Sequence, residues 1–577
     1  MLRSARRESP FTIGVLALLL VAVGGPIALI VWMSLRRGLP GAASPLTVDN
    51  YVALFRSPFF LETLANTAVF ALLSLLVTFV FLVPLTFLFS RTDLPFRTGF
   101  VVMLSIVVLI PTFLRAIGWI MLLSPEIGLV NRGLMAVFGL ESAPLNIYSM
   151  GGMAFVQGLA FVPAGYFMLS AAYRAMDPAL EEAAYTSGIG KLTTFRTVDV
   201  PLTFPALLGT FVYLAMTAVS AFEAPGIIGL PARIFVLSSV IFLDVHPQSV
   251  GLPDYGAAGA NGMVILVAGL ALAVVYFRAL RAGRRFAVLT GRGYRPRPLR
   301  LGRWTGLALA FVLAFFLMEV FLPLGMLVWA SLTPYLIAPS ADALPLLTLA
   351  NYGRMLTPQS ARGLANTVVV LAIAPLLAVA IAVAVAWIVT RTASRLRGII
   401  DVLAFAPHAV PSVLVAVGLA YVALLARGAI PLYGSVLIIA LADAIIYLAF
   451  ASRTLNAAMI QVHHELEEAG RVGGLSPLAT LRHVIVPLVR PALLNSWFWV
   501  ALLSYREVTM ALVLLTQFNN VIATDIWTLW REGEVNRVAA LGTSLVAVML
   551  ALIVVATLAL RRSPVSRTAA AGAEAAA

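Results

Sequence analysis

The apolar residues of this chain are gathered into long runs that short polar segments separate. Each run is long enough to cross a hydrocarbon core ~30 Å thick as a helix. The runs lack the alternation of a barrel strand, and backbone groups in lipid must bond internally. The pattern predicts an all-α membrane protein with twelve transmembrane helices, at approximately 11–34, 63–89, 99–123, 150–172, 204–228, 259–277, 304–332, 363–389, 399–426, 431–451, 491–515 and 539–560.

Composition supports this class and excludes others. Of the 577 residues, 61% are apolar and 11% are charged, and the mean hydropathy is +0.99, which excludes a soluble domain. The sequence has no cysteine, which excludes disulfides, thiolate metal sites and a cysteine nucleophile. The run at 11–34 follows a basic start, but its length and the lack of a small-residue cleavage site predict an uncleaved first span.

The basic residues predict the orientation of the chain. Most of the 39 lysines and arginines lie in alternate loops, as is typical of loops that stay in the cytoplasm. Both termini are therefore expected to be cytoplasmic, with Arg36 and Arg37 as an exception. Basic flanks of the spans also account for the net charge of +14, so no nucleic-acid partner is expected.

The two halves of the chain share sequence. PIALIVWMSL at 26–35 aligns with PLGMLVWASL at 323–332, and Pro111 and Gly118 recur as proline and glycine 300 residues later. Both halves contain six predicted spans and begin on the same side, so they are expected to be parallel repeats. The predicted organisation is a first repeat at 1–277, a basic cytoplasmic linker at 278–303, a second repeat at 304–560 and a disordered tail at 561–577.

A charged, glycine-containing segment lies between the fourth and fifth spans of each repeat, at 177–201 and at 463–487. Gly188 and its counterpart in the second repeat supply the left-handed conformation that ends a short helix. Each segment is therefore predicted to be a short helix, a glycine turn and a second helix that runs to Pro201 or Pro487. An ordinary amphipathic interfacial loop is the alternative.

The first segment reads Glu-Ala-Ala, three residues, Gly, nine residues and Val-Asp-Val-Pro, and the second reads Glu-Ala-Gly, three residues, Gly, nine residues and Val-Ile-Val-Pro. Both resemble the signature loop of ABC importer permeases of the binding-protein-dependent transport family, which is written EAA, three residues, G, nine residues, I-x-L-P. The second copy departs from it at Gly470, and both copies have valine where the family has isoleucine and leucine. The match depends on Glu181, Glu182, Ala183, Ala184, Gly188, Pro201, Glu467, Glu468, Ala469, Gly470, Gly474 and Pro487.

The resemblance extends over nearly the whole chain and implies a type I ABC importer transmembrane fold in a bacterial cytoplasmic (inner) membrane, in contact with lipid. It implies that the two short helices are coupling helices for a cytoplasmic ATPase dimer. It also implies a periplasmic or lipid-anchored substrate-binding protein as a partner. Iron(III) importers resemble the chain most, with thiamine, phosphonate and polyamine importers as close relatives.

No ATPase site is predicted in the chain itself. A phosphate-binding loop requires Gly-x-x-x-x-Gly-Lys-Ser/Thr. The only lysine, Lys191, has Tyr185 at the position of the first glycine and Leu192 at the position of the hydroxyl residue. We therefore expect that a partner subunit hydrolyses ATP, and that this chain is not an enzyme and binds no cofactor.

Ionisable residues inside spans are costly, so each is a candidate functional residue. Glu223 and Glu507 follow the two coupling segments at near-equivalent places, and both path lining and buried structural pairing remain open for them. His463 and His464 have no further ligands nearby in the sequence, so no metal site is predicted. The candidates for a translocation path are Glu223, Glu507, Arg506, Arg115 and His408, and Glu319 and Asp443 are further ionisable residues within spans.

Two other classes of function remain to be weighed against an importer permease. An ion-driven secondary carrier would require acidic residues in broken helices and no repeated cytoplasmic segment. A membrane-embedded enzyme or scaffold would require a polar catalytic cluster at one depth, which the sequence does not predict. Copurification of an ATPase subunit would distinguish the importer from both.

Overall fold

The long apolar runs fold into helices, and every regular element of the described residues is helical. The computed structural model describes residues 8–41, 44–175, 183–184, 186–247, 252–283, 299–355 and 357–561. Nine helices in these ranges are long and apolar enough to cross a membrane, and three bent pairs bring the number to twelve. The predicted all-α fold with twelve spans in two repeats is confirmed.

In chain order the spans are Pro10–Ser34, Pro58–Arg91, Arg97–Val107 with Thr112–Leu123, Met150–Ala175, Val200–Ser220, Tyr255–Gly283, Gly302–Ser331, Pro358–Arg391, Arg397–His408 with Ser412–Leu425, Val436–Ile460, Pro477–Leu488 with Arg490–Arg506, and Val535–Arg561. They are called spans 1 to 12 below. Shorter elements connect them, namely Asp49–Arg56, Leu129–Phe138, Lys191–Thr194, Leu237–Val245, Ala341–Leu346, Ala350–Arg354, Glu465–Val472, Thr509–Val513 and Ile522–Arg531. The predicted tail beyond Arg561 and linker residues 284–298 lie outside the described residues.

Large apolar side chains remain exposed along the spans. Val21, Leu72 and Leu76 are examples, each more than half exposed. Exposed large apolar side chains on long apolar helices are typical of faces that contact lipid rather than water.

Spans 3 and 9, each predicted as one apolar run, are pairs of helices that meet at a sharp bend. The two parts of span 3 meet at 100° around Pro111, which adopts an extended backbone just before Thr112–Leu123. Pro411 occupies the same place in span 9. Proline lacks the N–H that would continue the helix and disfavours helical backbone in the residue before it, so each span breaks there.

The predicted ends of spans 5 and 11 also need correction. Their helices end at Ser220 and Arg506, before the predicted residues 228 and 515. Pro201 does not end a helix, because Val200–Ser220 continues through it; in the second repeat the chain bends by 76° after Leu488. Proline is tolerated near a helix start, where its missing N–H has no intrahelical partner.

The chain divides into two compact units that do not follow the two sequence halves. The first unit comprises Met1–Val52, Ile241–Met263 and Leu349–Ala577, and the second comprises Ala53–Val240 and Val264–Thr348. Each unit therefore combines most of one repeat with the first span of the other repeat.

In the second unit, span 7 crosses the second part of span 3 at Gly118. A Cβ atom at this position would overlap the backbone carbonyl of Pro323. The absence of a side chain lets the two backbones meet.

The first unit repeats this contact with the corresponding residues. A Cβ atom on Gly418, in span 9, would lie 2.8 Å from the carbonyl oxygen of Pro26 in span 1. Val15 and Leu19 of span 1 also belong to a core formed by residues of spans 8, 9, 10 and 11. Glu8, just before span 1, accepts hydrogen bonds from Ser394 Oγ at 2.6 Å and Arg395 N at 2.9 Å.

We expect Gly118→Ala to lower the free energy of unfolding by about 1–3 kcal/mol, because the added methyl group overlaps backbone that cannot rotate away. The matched control is Gly325→Ala on span 7, where a Cβ atom meets nothing within 4 Å. Thermal unfolding of the purified chain in detergent measures the difference. Equal melting temperatures for the two variants would contradict the close approach.

Candidate coupling segments and buried polar groups

The second polar segment has the predicted order of helix, glycine turn and helix. Its short helix is Glu465–Val472, and Gly474 follows with φ +81°. The N–H of Leu475 donates to the carbonyl of Gly470 at 3.0 Å, a hydrogen bond typical of a helix end with a left-handed residue. Ser476 then starts the next helix by accepting a hydrogen bond from Ala479 N at 3.3 Å.

The first segment has the same turn. Ala183 and Ala184 are helical, Gly188 has φ +78°, and Ile189 N donates to Ala184 O at 3.0 Å. The left-handed conformation predicted for Gly188 and its counterpart is therefore confirmed. Glu181 and Glu182 lie outside the described residues.

The short helix of the second segment presents both charged and apolar side chains on its surface. Glu468 and Ala469 are exposed, as are Leu466 and Val472, the latter by 90%. Exposed leucine and valine on a mostly charged helix form a surface suited to packing against another protein.

Glu467 differs from its neighbours because it is buried and paired. Its Oε1 lies 3.2 Å from Nη1 of Arg391, the last residue of span 8, and both side chains are nearly inaccessible. Arg391 Nη2 also donates to the carbonyl oxygens of Met459 and of Val462, the latter at 2.5 Å. One guanidinium thus ties the short helix to the ends of spans 8 and 10.

Arg391 is not among the functional residues predicted from the sequence, although the sequence repeats it at the end of an equivalent span. Arg391 ends span 8 as Arg91 ends span 2, 300 residues earlier, and Arg91 is also buried. A buried arginine repeated at the end of an apolar span indicates a specific partner.

Arg115 forms a buried ion pair with Glu319 in the second unit. Arg115 lies in the second part of span 3, and Glu319 lies in a π-helical turn of span 7, Leu317–Phe321. Arg115 Nη2 also lies 3.3 Å from Thr112 Oγ1. The corresponding residues in the first unit are Val415 and Ala22, which are apolar, so the pair is not a general requirement of this helix contact.

Glu223 and Glu507 each cap a helix. Glu223 Oε2 accepts from Phe113 N at 2.9 Å, in the first turn of Thr112–Leu123. Glu507 Oε1 accepts from Met510 N at 3.1 Å, in the first turn of Thr509–Val513, and Glu507 Oε2 accepts from Tyr447 Oη at 2.9 Å. A carboxylate at a helix N-terminus satisfies a free N–H and interacts favourably with the helix dipole.

The structure brings Arg506 close to this group but not His408. Arg506 ends span 11 and lies within electrostatic range of Tyr447, whereas His408 is exposed beside the Phe405 ring, with 5.5 Å between ring centroids. His463 and His464 are exposed. Within the described ranges, no group of three or more His, Asp or Glu residues could hold a metal ion.

Comparison with known proteins identifies relatives along most of the chain. Residues 377–563 match the family model described as "Binding-protein-dependent transport system inner membrane component". The ferric transport system permease protein FbpB of Actinobacillus pleuropneumoniae is 26% identical over 477 residues, which cover 81% of this chain and 67% of that protein.

Two further relatives extend this comparison. The Fe(3+)-transport system permease protein FbpB 2 of Haemophilus influenzae is 23% identical over 526 residues, covering 90% of this chain and 93% of that protein. The probable ABC transporter permease protein y4fN of Sinorhizobium fredii is 30% identical over 405 residues, covering 69% of this chain and 66% of that protein. The chain thus aligns with about two thirds of the length of two of these relatives.

We expect the single variants Arg115→Val and Glu319→Ala each to lower the free energy of unfolding by about 3–5 kcal/mol, because each leaves a buried charge without its partner. The double variant, which has at both positions the residues of the equivalent contact in the first unit, should recover most of this loss. Thermal unfolding of the four proteins measures the cycle. Asp49→Asn, which breaks the exposed pair of Asp49 with Arg37, serves as control and should cost at most about 1 kcal/mol. A double variant no more stable than the singles would contradict the pairing.

Proposed function

Because the chain belongs to the family of binding-protein-dependent transport system inner membrane components, we propose that it is the permease subunit of an ATP-driven importer and forms its translocation path. The observation that carries this proposal is the repeated polar segment. Two segments at equivalent places in two six-span repeats share the same left-handed glycine and the same terminal hydrogen bond. A loop that only connected two spans would not need this turn twice.

The coupling segments are the sites at which ATP hydrolysis acts on the permease. The exposed Leu466 and Val472 fit an apolar groove on an ATPase subunit, with the acidic Glu468 at its edge. The first segment, including Glu181 and Glu182, binds a second ATPase subunit in the same way. The basic residues in alternate loops support a cytoplasmic position for both segments and both termini, where ATP is available.

Arg391 transmits movement of the second coupling helix to the membrane spans. Its guanidinium binds Glu467 and two carbonyls at the end of span 10, so the short helix cannot shift without moving spans 8 and 10. Several bonds from one planar group hold a fixed geometry.

Iron(III) is the proposed substrate, since two relatives with high coverage of this chain are named as ferric permeases. A periplasmic or lipid-anchored binding protein delivers it to the permease. Thiamine, phosphonates and polyamines are the substrates to compare.

The proposal is tested by purifying the chain from bacterial membranes and identifying the proteins that copurify. An ATPase subunit in a ratio of two per chain supports it. Vesicles that contain this complex and its binding protein are then supplied with ATP inside or outside, and uptake of iron(III), thiamine, a phosphonate and spermidine is measured. A chain that transports under an ion gradient without ATPase would refute it.

Replacing both turn glycines, Gly188→Ala with Gly474→Ala, should reduce ATPase association and ATP-driven uptake at least tenfold. Alanine is strained in the left-handed region by roughly 1–2 kcal/mol per residue, which distorts the turn. Gly473→Ala is the control, since Gly473 lies in the same turn without positive φ and its nearest atoms would be 3.4 Å from an added Cβ. Unchanged association in the double variant would show that these turns do not couple the ATPase.

Arg391→Lys should lower the amount of substrate imported per ATP hydrolysed, while the ATPase remains bound. A lysine keeps the charge beside Glu467 but cannot reach the two carbonyls and the carboxylate together. Arg397→Gln, at an exposed arginine near the same end of span 8, is the control. If uptake and ATP hydrolysis fall in parallel, or neither changes, Arg391 does not transmit the movement.

A further inference from the structure

Span 10 contains a buried carboxyl group that the contacts described so far do not use. Asp443 is 1% exposed, and its Oδ1 has no hydrogen-bond partner in the part of the chain that the structure describes. A buried carboxyl oxygen that lacks a hydrogen bond inside a membrane span is unfavourable. A ligand that binds this oxygen would remove the penalty.

Other oxygen-bearing side chains surround Asp443. Tyr447 lies one helical turn further along span 10, on the same face as Asp443. Its hydroxyl donates to Glu507 Oε2 at 2.9 Å. Glu507 and Ser504 both lie close enough to Asp443 to act on its carboxyl group. The site therefore brings two carboxyl groups and a phenol together where span 10 packs against span 11.

Arg506 lies within electrostatic range of Tyr447, as do the carboxyl groups of Asp443 and Glu507. A cationic side chain therefore also lies near these oxygen atoms.

The first repeat shows that helix packing does not require this cluster. At the aligned positions, 286 residues earlier, it has Gln157, Phe161 and Ala221 in place of Asp443, Tyr447 and Glu507. Gln157 is 4% exposed, and its Oε1 also has no hydrogen-bond partner among the described residues. Both repeats thus have a buried oxygen without a hydrogen bond at the same place in the fourth span, and in the second repeat that oxygen belongs to a carboxyl group.

We propose that Asp443, Tyr447 and Glu507 form a binding site for a hard multivalent cation. Carboxylate and other oxygen ligands are those that hard cations prefer. A bound cation satisfies Asp443 Oδ1 and is also held by the Glu507 carboxyl group and by the phenol oxygen of Tyr447. The identification of this cation as the transported substrate rests on the proposed function. The binding of a cation at this site does not depend on the proposed function.

The test uses the full-length chain in lipid nanodiscs with Tb³⁺ as a hard trivalent probe, whose luminescence is sensitised by nearby tyrosine. Bound Tb³⁺ should also raise the melting temperature, because a ligand that binds only the folded state stabilises it. Asp443→Asn and Glu507→Gln should each weaken binding at least tenfold. Tyr447→Phe should remove much of the sensitised emission. Asp401→Asn, which alters the partly exposed pair with Arg453 in the same unit, is the control and should bind as the unaltered chain does.

Equal Tb³⁺ affinity in all variants overturns the proposal. Absence of Tb³⁺ binding to the unaltered chain also overturns it, and is the result expected if the two carboxyl groups only share a proton. Asp443→Gln, which copies the residue of the first repeat, provides a second variant if Asp443→Asn does not fold. ATPase copurification with the same variants separates the two proposals. If Tb³⁺ binds at this site but no ATPase subunit copurifies, only the proposed function is refuted. If an ATPase subunit copurifies and drives uptake but Tb³⁺ does not bind at this site, only the cation site is refuted.

Discussion

The contact on which both compact units depend is the approach of two backbones at a glycine. The backbone carbonyl of Pro323 packs against the Cα atom of Gly118. The backbone carbonyl of Pro26 packs against the Cα atom of Gly418 in the same way. Any side chain at these glycines would separate the helices. Because the breaks at Pro111 and Pro411 set the direction of the helices that carry these glycines, the prolines and glycines act together: the break turns the helix, and the glycine lets the first span of the other repeat lie against it.

The buried polar groups differ between repeats that otherwise share this framework. Arg115 and Glu319 pair in the second unit, where the equivalent contact of the first unit has Val415 and Ala22. Asp443 and Glu507, in contrast, are both acidic, where the first repeat has Gln157 and Ala221. The duplicated helices therefore provide a common framework, and a few charged positions give each unit its own electrostatic properties.

Much of this structure could be predicted from local sequence. Long apolar runs predicted the spans because lipid admits few other structures, and Gly188 was assigned its left-handed turn because helix ends favour glycine there. The 100° bend at Pro111 was not predicted, because hydropathy measures apolar length and not direction. Arg391 was missed because its partners lie far along the chain, and the pairing of Arg115 with Glu319 depends on how span 7 crosses span 3.

The exchange of first spans has a consequence for the order in which the molecule is made. Pro26 is synthesised early, but the residues around Gly418 that it packs against emerge only after most of the chain is complete. Until then span 1 lies in the membrane without the helices that it packs against in the folded protein. The second unit likewise lacks span 7 until the linker has been translated. Contacts between such distant residues slow folding and favour partly assembled intermediates. Because the two repeats are joined in one chain, the helices made later are tethered close to the earlier helices that they pack against. This tether limits pairing with the wrong helix during biogenesis.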